Sequence, residues 1–597
     1  MAGIAGVVSG KVESECRRLV RTMLSSMRHD SSSEWGECGS PQAGVYAGWI
    51  AHRDSYAARE GRRQDEEVAI AAAGEFVSDG APPDLRAGYR SEGRAFPAGL
   101  NGVCSGLILD RGRQGAILFT DRYGLERLYA HQDGDTFFFA SEAKALLRVL
   151  PHLRSLHEEG VTEWLAHGFV RPPLTLFRGV EVLPAGHTWT IERTGRRQHR
   201  YFAPGEWEAG PELGSAEFES ALPRIIGQAS ARCMEGDGTL GVSLTGGLDT
   251  RMIMALAPRA RPVVCYTFGG EYQTIDERLA ARVALAAGFE HQVLRVGSDF
   301  LRDYASHVDR TIHLTDGCAS ALGAHEPYLN AKARALSTVR VTGNFGSEVL
   351  RGTSTMKPLA LRPGLLRSDL AHAVGEVAAN ARFAQHPVTR AAFQEIPWSL
   401  YGTWAAGRSQ LTIRTPYLDT EVVDLAFRAA PAVRSSQELW LRAVGRADPL
   451  MARIPTDRGV LLSDGRTRGL VRRLGSEVTF KLDYWRTSGL PRWARPLEAI
   501  VEAGFESGRV PVHRYLEYHR WFRRELAPCV REVLTDRRTI ELPYWRGRDA
   551  LESMAVNHAA GHGTYVKEIG AVLTLEAIDR LLCTKPAPVP ELAGARD

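Results

Sequence analysis

The stretch Gly238-Thr239-Leu240-Gly241-Val242-Ser243-Leu244-Thr245-Gly246-Gly247-Leu248-Asp249-Thr250-Arg251 constrains this chain most. Leu240, Val242 and Leu244 alternate as a short buried strand does, Thr245-Gly246-Gly247 is a turn, and Met252-Ile253-Met254-Ala255-Leu256 begins an apolar helical face. A glycine-rich turn between strand and helix aims backbone N–H groups at one point, with the positive end of the helix dipole behind them. That arrangement is a site for phosphate. Asp249 would repel a bare phosphate, so the pattern predicts Mg²⁺ between the two and therefore a metal–nucleotide complex. A lone Gly-Gly turn also serves ordinary strand–turn–helix joins, but here the hydroxyls of Thr245 and Thr250 flank it.

At 597 residues the chain exceeds one compact core, and two or more domains are expected. The formal charge of +4 is small and no basic run stands out, so nucleic acid is not an indicated partner. No apolar run approaches a membrane span, and no membrane partner is expected. Cys16, Cys38, Cys104, Cys233, Cys265, Cys318, Cys529 and Cys583 are scattered without a Cys-x-x-Cys pair. They read as free thiols in a reducing cytoplasm, the expected location.

In the first third, Met1–Val8, Ala69–Phe76, Ser105–Leu109, Gly115–Thr120 and Thr136–Ala140 read as closely spaced strands, with a helix at Ser141–Leu146. Such spacing implies stacked antiparallel sheets. After a Pro- and Gly-rich linker near 203–215, strands 239–244, 262–268 and 291–296 alternate with helices beginning near 249 and 276, which implies a parallel sheet with helices on both faces. The boundary falls near residue 205, giving units 1–205 and 206–597. In an open parallel sheet ligands bind at the carboxyl ends of the strands, where the Thr245–Thr250 turn lies.

Particular residues carry a family resemblance. The turn resembles the Ser-Gly-Gly-x-Asp-Ser pyrophosphate loop of ATP pyrophosphatases, with threonine for both serines. Ala2-Gly3-Ile4-Ala5-Gly6, Ala73-Gly74-Glu75, Asp121-Arg122-Tyr123-Gly124 and Phe139-Ala140-Ser141-Glu142-Ala143-Lys144 resemble the glutaminase half of class B asparagine synthetases, in that family's order. The resemblance implies an α/β chain: an N-terminal Ntn-hydrolase-like domain of stacked antiparallel sheets with helices, then an ATP-pyrophosphatase-type domain. It also implies a glutamine-attacking cysteine after the initiator Met, but position 2 is alanine, and a methyl group is no nucleophile. Ala73 stands where the family has an oxyanion-hole asparagine, and Asp30-Ser31-Ser32-Ser33 replaces an Arg-Gly-Pro-Asp run. Ala2, Ala73, Gly74 and Glu75 therefore mark a degenerate glutaminase site.

In the second part, Leu244, Thr245, Gly246, Gly247, Leu248, Asp249 and Thr250 with Thr267, Gly343 and Arg414 are implied as the ATP and pyrophosphate contacts. Val341-Thr342-Gly343-Asn344-Phe345-Gly346-Ser347-Glu348 resembles the family's Ser-Gly-Glu-Gly-Ser-Asp-Glu loop, so Glu348 joins Asp249 as the expected Mg²⁺ ligand. Arg414-Thr415-Pro416-Tyr417-Leu418-Asp419 resembles Arg-x-Pro-Phe-Leu-Asp, and Arg458 is the nearest basic match to the family's catalytic lysine. Arginine stays protonated, so Arg458 would stabilise charge and not act as a base. Asp276 and Glu277 open a helix and read as complements to its dipole.

The expected chemistry is activation of a small-molecule or peptide carboxylate by ATP, with pyrophosphate release, then capture of the acyl-AMP by an amine without glutamine hydrolysis. Asp249, Glu348 and Arg458 are the expected catalytic set. β-Lactam synthetases and lasso-peptide cyclases are relatives of this kind; Phe345 stands at the position of the former's tyrosine. The alternatives are a glutamine-dependent amidotransferase whose cysteine was replaced by Ala2, and a non-catalytic scaffold. A homodimer is left open.

Overall fold

The computed structural model describes residues 3–584 except 54, 63, 64, 66, 80–82, 193, 194, 258–260, 435, 464, 465, 489–497 and 509. Ala2 lies outside the described residues. The first strands are β1 (Gly3–Val8), β2 (Ser33–Ser40), β3 (Val45–His52), β4 (Val68–Phe76), β5 (Gly102–Asp110) and β6 (Gly115–Phe119). They are followed by β7 (Tyr129–Asp133), β8 (Thr136–Ala140), β9 (Glu181–Val182), β10 (His187–Glu192) and β11 (Gly195–Arg200). Among the described residues these form two antiparallel sheets, in the orders β2-β3-β1-β8-β7-β9 and β11-β10-β6-β5-β4.

Side-chain alternation explains the stack. Ile4 on β1, Ala47 and Trp49 on β3, Ala69, Ala71 and Ala73 on β4 and Leu107 and Leu109 on β5 share the layer between the sheets. Ala5 and Val7 turn the other way, under the helix Glu13–Ser26. Val68, Ile70 and Ala72 turn outward, beneath the helix Leu85–Glu92. Gly6 is needed where β1 meets β8, since a Cβ there would lie 2.3 Å from the Phe139 ring.

The second part contains β12 (Leu240–Ser243), β13 (Val263–Gly269), β14 (His291–Arg295), β15 (Val339–Thr342) and β16 (Thr412–Arg414), all parallel, in the order β14-β13-β12-β15-β16. The strand before the glycine turn is thus central. β13 and β15 flank it on opposite sides, which opens a crevice at its carboxyl end. Leu240, Val242, Met252, Ile253, Val341 and Trp440 are buried in the core around this sheet. The segment read as a linker carries a short helix, Gly205–Glu208, before the long helix Ser215–Met234.

The two parts are tied by charge, at the surface through Asp79 and in the interior through Lys144. Arg232 is 5% exposed and reaches Asp79 at 2.9 Å, Asp419 at 2.9 Å and Glu421 at 2.7 Å. Lys144 lies against Glu142 and, at 3.2 Å, Asp316. The C-terminal helix Val566–Ile578 buries Ile569, Val572, Leu573 and Leu575 in the same cluster as Val20, Leu24 and Trp164 of the first part. All eight cysteines are free thiols. No helix among the described residues is long and apolar enough to cross a membrane.

Candidate active site

Gly247 precedes the helix Leu248–Leu256, and the turn before it is held from beneath by Arg251. That guanidinium is fully buried and donates to the carbonyls of Gly246 at 3.1 Å, Ile454 at 2.5 Å and Pro455 at 2.9 Å. Burial lowers the pKa of Arg251 to about 10, which leaves it charged at neutral pH. The Asp457 N–H donates to Gly246 O at 3.2 Å, so the segment carrying Arg458 abuts the turn.

The turn's N–H groups already have acceptors within the chain. The Gly246 N–H donates to Asp276 Oδ1 at 2.8 Å, the Gly247 N–H to Thr245 Oγ1 at 3.3 Å, and the Thr245 N–H to Thr250 Oγ1 at 3.3 Å. Asp276 is therefore more than a dipole complement: its carboxylate sits on a donor that a phosphate would use. Burial, with the charge of Asp457 adding, raises its pKa to about 6. Glu277 fills the dipole role, closing a capping box with Thr274 and pairing with Arg295 at 2.6 Å.

A cavity of about 400 Å³ opens over this turn, lined by Leu244, Thr245, Asp249, Thr250, Thr267 and Gly343, and beyond them by Phe268, Arg340, Asn344, Glu348, His513 and Tyr515. The Thr267 hydroxyl donates to Leu244 O at 3.0 Å. Gly343 and Gly346 let the two loops touch, because a Cβ on Gly343 would lie 2.6 Å from Thr250 N and one on Gly346 2.6 Å from Asp249 Cγ. Phe345 between them adopts φ +76°, left-handed backbone strained for an aromatic residue.

Asp249 and Glu348 both line the cavity, but Asp249 has a partner of its own. Arg351 donates to it twice, Nη1 to Oδ1 at 2.7 Å and Nη2 to Oδ2 at 3.0 Å. The Glu348 carboxylate accepts from the Ser347 hydroxyl at 2.9 Å, and its pKa is raised by burial, with the charges of Asp249 and Glu395 adding. Asp249 adds to the cost of ionising Glu348, and two acids on one cavity suit a cation, so the pair fits a divalent ion provided Arg351 gives up Asp249. Among the described residues no cluster of three or more acidic, histidine or cysteine side chains is arranged for a metal.

Arg458 and Arg414 stand outside the cavity lining. Arg458 stacks over the Phe480 ring at 3.9 Å, with Asp457 and Glu477 each 3.6 Å away. Arg414 faces the first domain: it pairs with Glu75 Oε2 at 3.0 Å and donates to Glu235 O at 2.7 Å. The sequence pairing of Arg414 with the pyrophosphate turn is thus not the contact it makes. Arg408 comes the same way to Glu126 at 2.5 Å, and Arg334 to Asp30 at 3.0 Å.

Gly74 and Glu75 border a space of only about 50 Å³ with Arg408, Arg414 and Asp419. Gly74 has φ +91°, and a Cβ there would strike Val103 O at 2.1 Å; Ala73 is buried between the sheets. The residues missed from sequence are Arg251, Arg351 and the 513–515 segment. Arg351 alone had a local signal, lying three positions after Glu348 in one helix, Gly346–Arg351.

Residues 66–202 match a glutamine amidotransferase domain and residues 221–447 an asparagine synthase domain. The two matches, in this order, make the chain asparagine synthetase-like. A glutamine-hydrolysing asparagine synthetase homologue of Mycobacterium tuberculosis is 25% identical over 315 residues, 51% of this chain and 48% of its own. Asparagine synthetase 3 of Bacillus subtilis, also glutamine-hydrolysing, is 26% identical over 190 residues, 30% of each chain. The similarity thus spans about half the length of the first of these relatives, and less of the second.

Proposed function

We propose that this asparagine synthetase-like chain is an ATP-dependent, AMP-forming amide ligase that works without hydrolysing glutamine. The observation that carries the reading is the cavity at the carboxyl end of β12, where the Thr245–Thr250 turn, Asp249, Thr267 and Glu348 converge. The triphosphate lies along the turn, with Gly246 and Gly247 offering N–H groups once Asp276 and Thr245 yield them. A substrate carboxylate attacks the α-phosphorus, the bond to the bridging oxygen breaks, and pyrophosphate leaves toward the turn. An amine then attacks the acyl carbon and AMP departs. Mg²⁺ bound with the nucleotide would neutralise the leaving pyrophosphate, and Asp249 and Glu348 are the residues that would hold it. Arg251 fixes the turn from below, and the phenol of Tyr417 does so from the side by donating to Asp249 O at 2.7 Å. Localisation in the cytoplasm accords with the free thiols and is part of the same proposal.

Glutamine independence is favoured by Ala2 in the sequence and by Arg408 and Arg414 closing the space beside Gly74 and Glu75. The Arg351–Asp249 pair favours a second reading, a scaffold whose nucleotide turn is locked. ATP–pyrophosphate exchange with a panel of carboxylic acids separates the two. The ligase exchanges with at least one acid, and Asp249→Asn abolishes AMP and pyrophosphate formation. Normal adenylation by that variant would end the metal-ligand role, and no exchange with any acid would leave the scaffold.

A further inference from the structure

A second chamber of about 610 Å³ adjoins the nucleotide cavity, and Asp276, His513 and Tyr515 line both. Its remaining walls come from parts of 360–362, 514–519 and 564–568, with Leu322 and Thr487. Most of these residues lie beyond 447, where the asparagine synthase match ends. The volume is that of a site for a drug-sized ligand and exceeds what a single amino acid fills.

Three cations face this chamber, and they stand at two places. Arg514 lies between His513 and Tyr515, at the junction with the nucleotide cavity. Arg362 and Lys567 belong to walls that line no part of that cavity. Among the described residues none of the three is within ion-pair distance of a carboxylate. Arg514 donates to the Thr487 hydroxyl at 3.3 Å and stacks over Tyr484 at 4.7 Å. Lys567 Nζ donates to Leu359 O at 3.0 Å, and Arg362 stacks over Tyr565 at 4.5 Å. Two acids also line the chamber, and both are engaged by backbone. Asp276 accepts from Gly246, and Glu568 accepts the Arg362 N–H at 2.9 Å. Leu322, Leu516, Val566 and Tyr518 supply an apolar wall.

The junction is rigidly held. Asp483, fully buried, accepts the N–H groups of His513 and Arg514, each at 2.9 Å. Arg486 bridges Asp483 at 2.9 Å to Glu517 at 2.5 Å, both partners within the core. The Ile275 N–H donates to Val512 O at 2.8 Å, which binds the segment to the helix that carries Asp276. Such a buried ionic lattice fixes side chains in place rather than adding net stability, as a specificity-determining wall requires.

We propose that this chamber binds the carboxylic acid that is activated, and that this acid is elongated, apolar in its middle and anionic at both ends. Arg514 steers the reacting carboxylate to the nucleotide cavity, and Arg362 with Lys567 hold the far anionic group. The assignment of a reacting end rests on the ligase reading above, whereas binding of the two-ended acid does not.

The test uses the full chain and straight-chain α,ω-dicarboxylic acids, each beside the monocarboxylic acid of equal length, with calorimetry and ATP–pyrophosphate exchange as readouts. At the best length the diacid binds about tenfold more tightly than the monoacid. The doubly substituted Arg362→Gln, Lys567→Gln protein, altered at two exposed positions, brings the two within about twofold while its affinity for a fluorescent ATP analogue is unchanged. Equal binding of diacid and monoacid, a preference that survives the double substitution, or no saturation by any acid up to about 10 mM overturns the proposal. A diacid preference without exchange overturns the ligase reading and leaves the site standing.

Discussion

Arg351 grips both oxygens of Asp249, at 2.7 and 3.0 Å, across 102 residues of sequence. The two side chains are 14% and 17% exposed, so the pair is partly screened and worth about 1 kcal/mol. On the ligase reading, a cation carried in with the nucleotide would compete with this guanidinium for the same two oxygens. Freed from Asp249, Arg351, one helical turn from Glu348, would be a charge available to the phosphates. Arg351→Gln is therefore expected to lower the Mg²⁺ concentration for half-maximal ATP–pyrophosphate exchange about fivefold, the equivalent of that ion pair. It also lowers the maximal rate about tenfold or more through lost charge stabilisation. A Mg²⁺ titration of the exchange rate checks both, and an unchanged half-saturation point means that the pair does not guard the site.

Asp276 holds the Gly246 N–H that a phosphate needs, and the charges around it are Asp457 and Glu277 against Arg458. Folding raises its carboxyl from 3.8 to about 6. A carboxyl raised in this way favours the fold while protonated, so its contribution is complete below 3.8 and is lost as pH climbs through about 6. Asp276→Asn keeps an acceptor for Gly246 and cannot ionise. Denaturation across this range is expected to show the variant gaining on the parent as pH rises, and pyrophosphate binding at pH 8 is expected to tighten. Parallel stability curves at all pH values would contradict the ionisation.

These two pairs also show where the sequence stops being informative. The strand, the Gly-Gly turn and the helix at 240–256 are local, and the alternation of strands and helices after 239 foretells a parallel sheet with that turn at its carboxyl end. β4 and β8 are legible as apolar runs. β11 is not, because Gly-Arg-Arg-Gln-His-Arg is polar and exposed throughout and owes its existence to pairing with β10. Asp276 looks like a helix-dipole complement because its partner is 30 residues away, and Arg414 looks like a phosphate ligand because nothing near it in sequence announces Glu75. Glycines were the readable part of the site, and long-range arginine pairs the unreadable part.

The proposed loss of glutamine hydrolysis rests on more than one missing atom. Even with a thiol at position 2, Ala73 offers no side-chain donor, and Arg414 on Glu75, Arg408 on Glu126 and Arg334 on Asp30 bind the walls to the second domain. What remains beside Gly74 and Glu75 is about 50 Å³, room for a few waters. Ala2→Cys, and Ala2→Cys combined with Ala73→Asn, are expected to release no ammonia from glutamine above background in a coupled glutamate dehydrogenase assay. Ammonia from either protein would restore the glutamine-dependent reading.

Arg232 concentrates the join between the domains. It meets Asp79, Asp419 and Glu421 at once, and Asp419, 2% exposed, also accepts from Asn101 Nδ2 at 2.9 Å. Burial raises the Asp419 carboxyl, and Arg232 is the charge that opposes the rise. Arg232→Ala leaves that carboxylate buried with neutral donors only, the Asn101 amide and the Glu421 N–H, a loss of about 3 kcal/mol. Of its three partners only Asp79 belongs to the first domain, so the loss falls on the second domain's own Asp419 pair as well as on the docking. Urea unfolding of the variant is expected to separate into two transitions where the parent unfolds in one. Arg232→Ala with Asp419→Asn recovers much of the loss, since it removes the stranded charge. If the double substitution is no better than the single, the cost lies in packing of the arginine stem and not in the charge of Asp419.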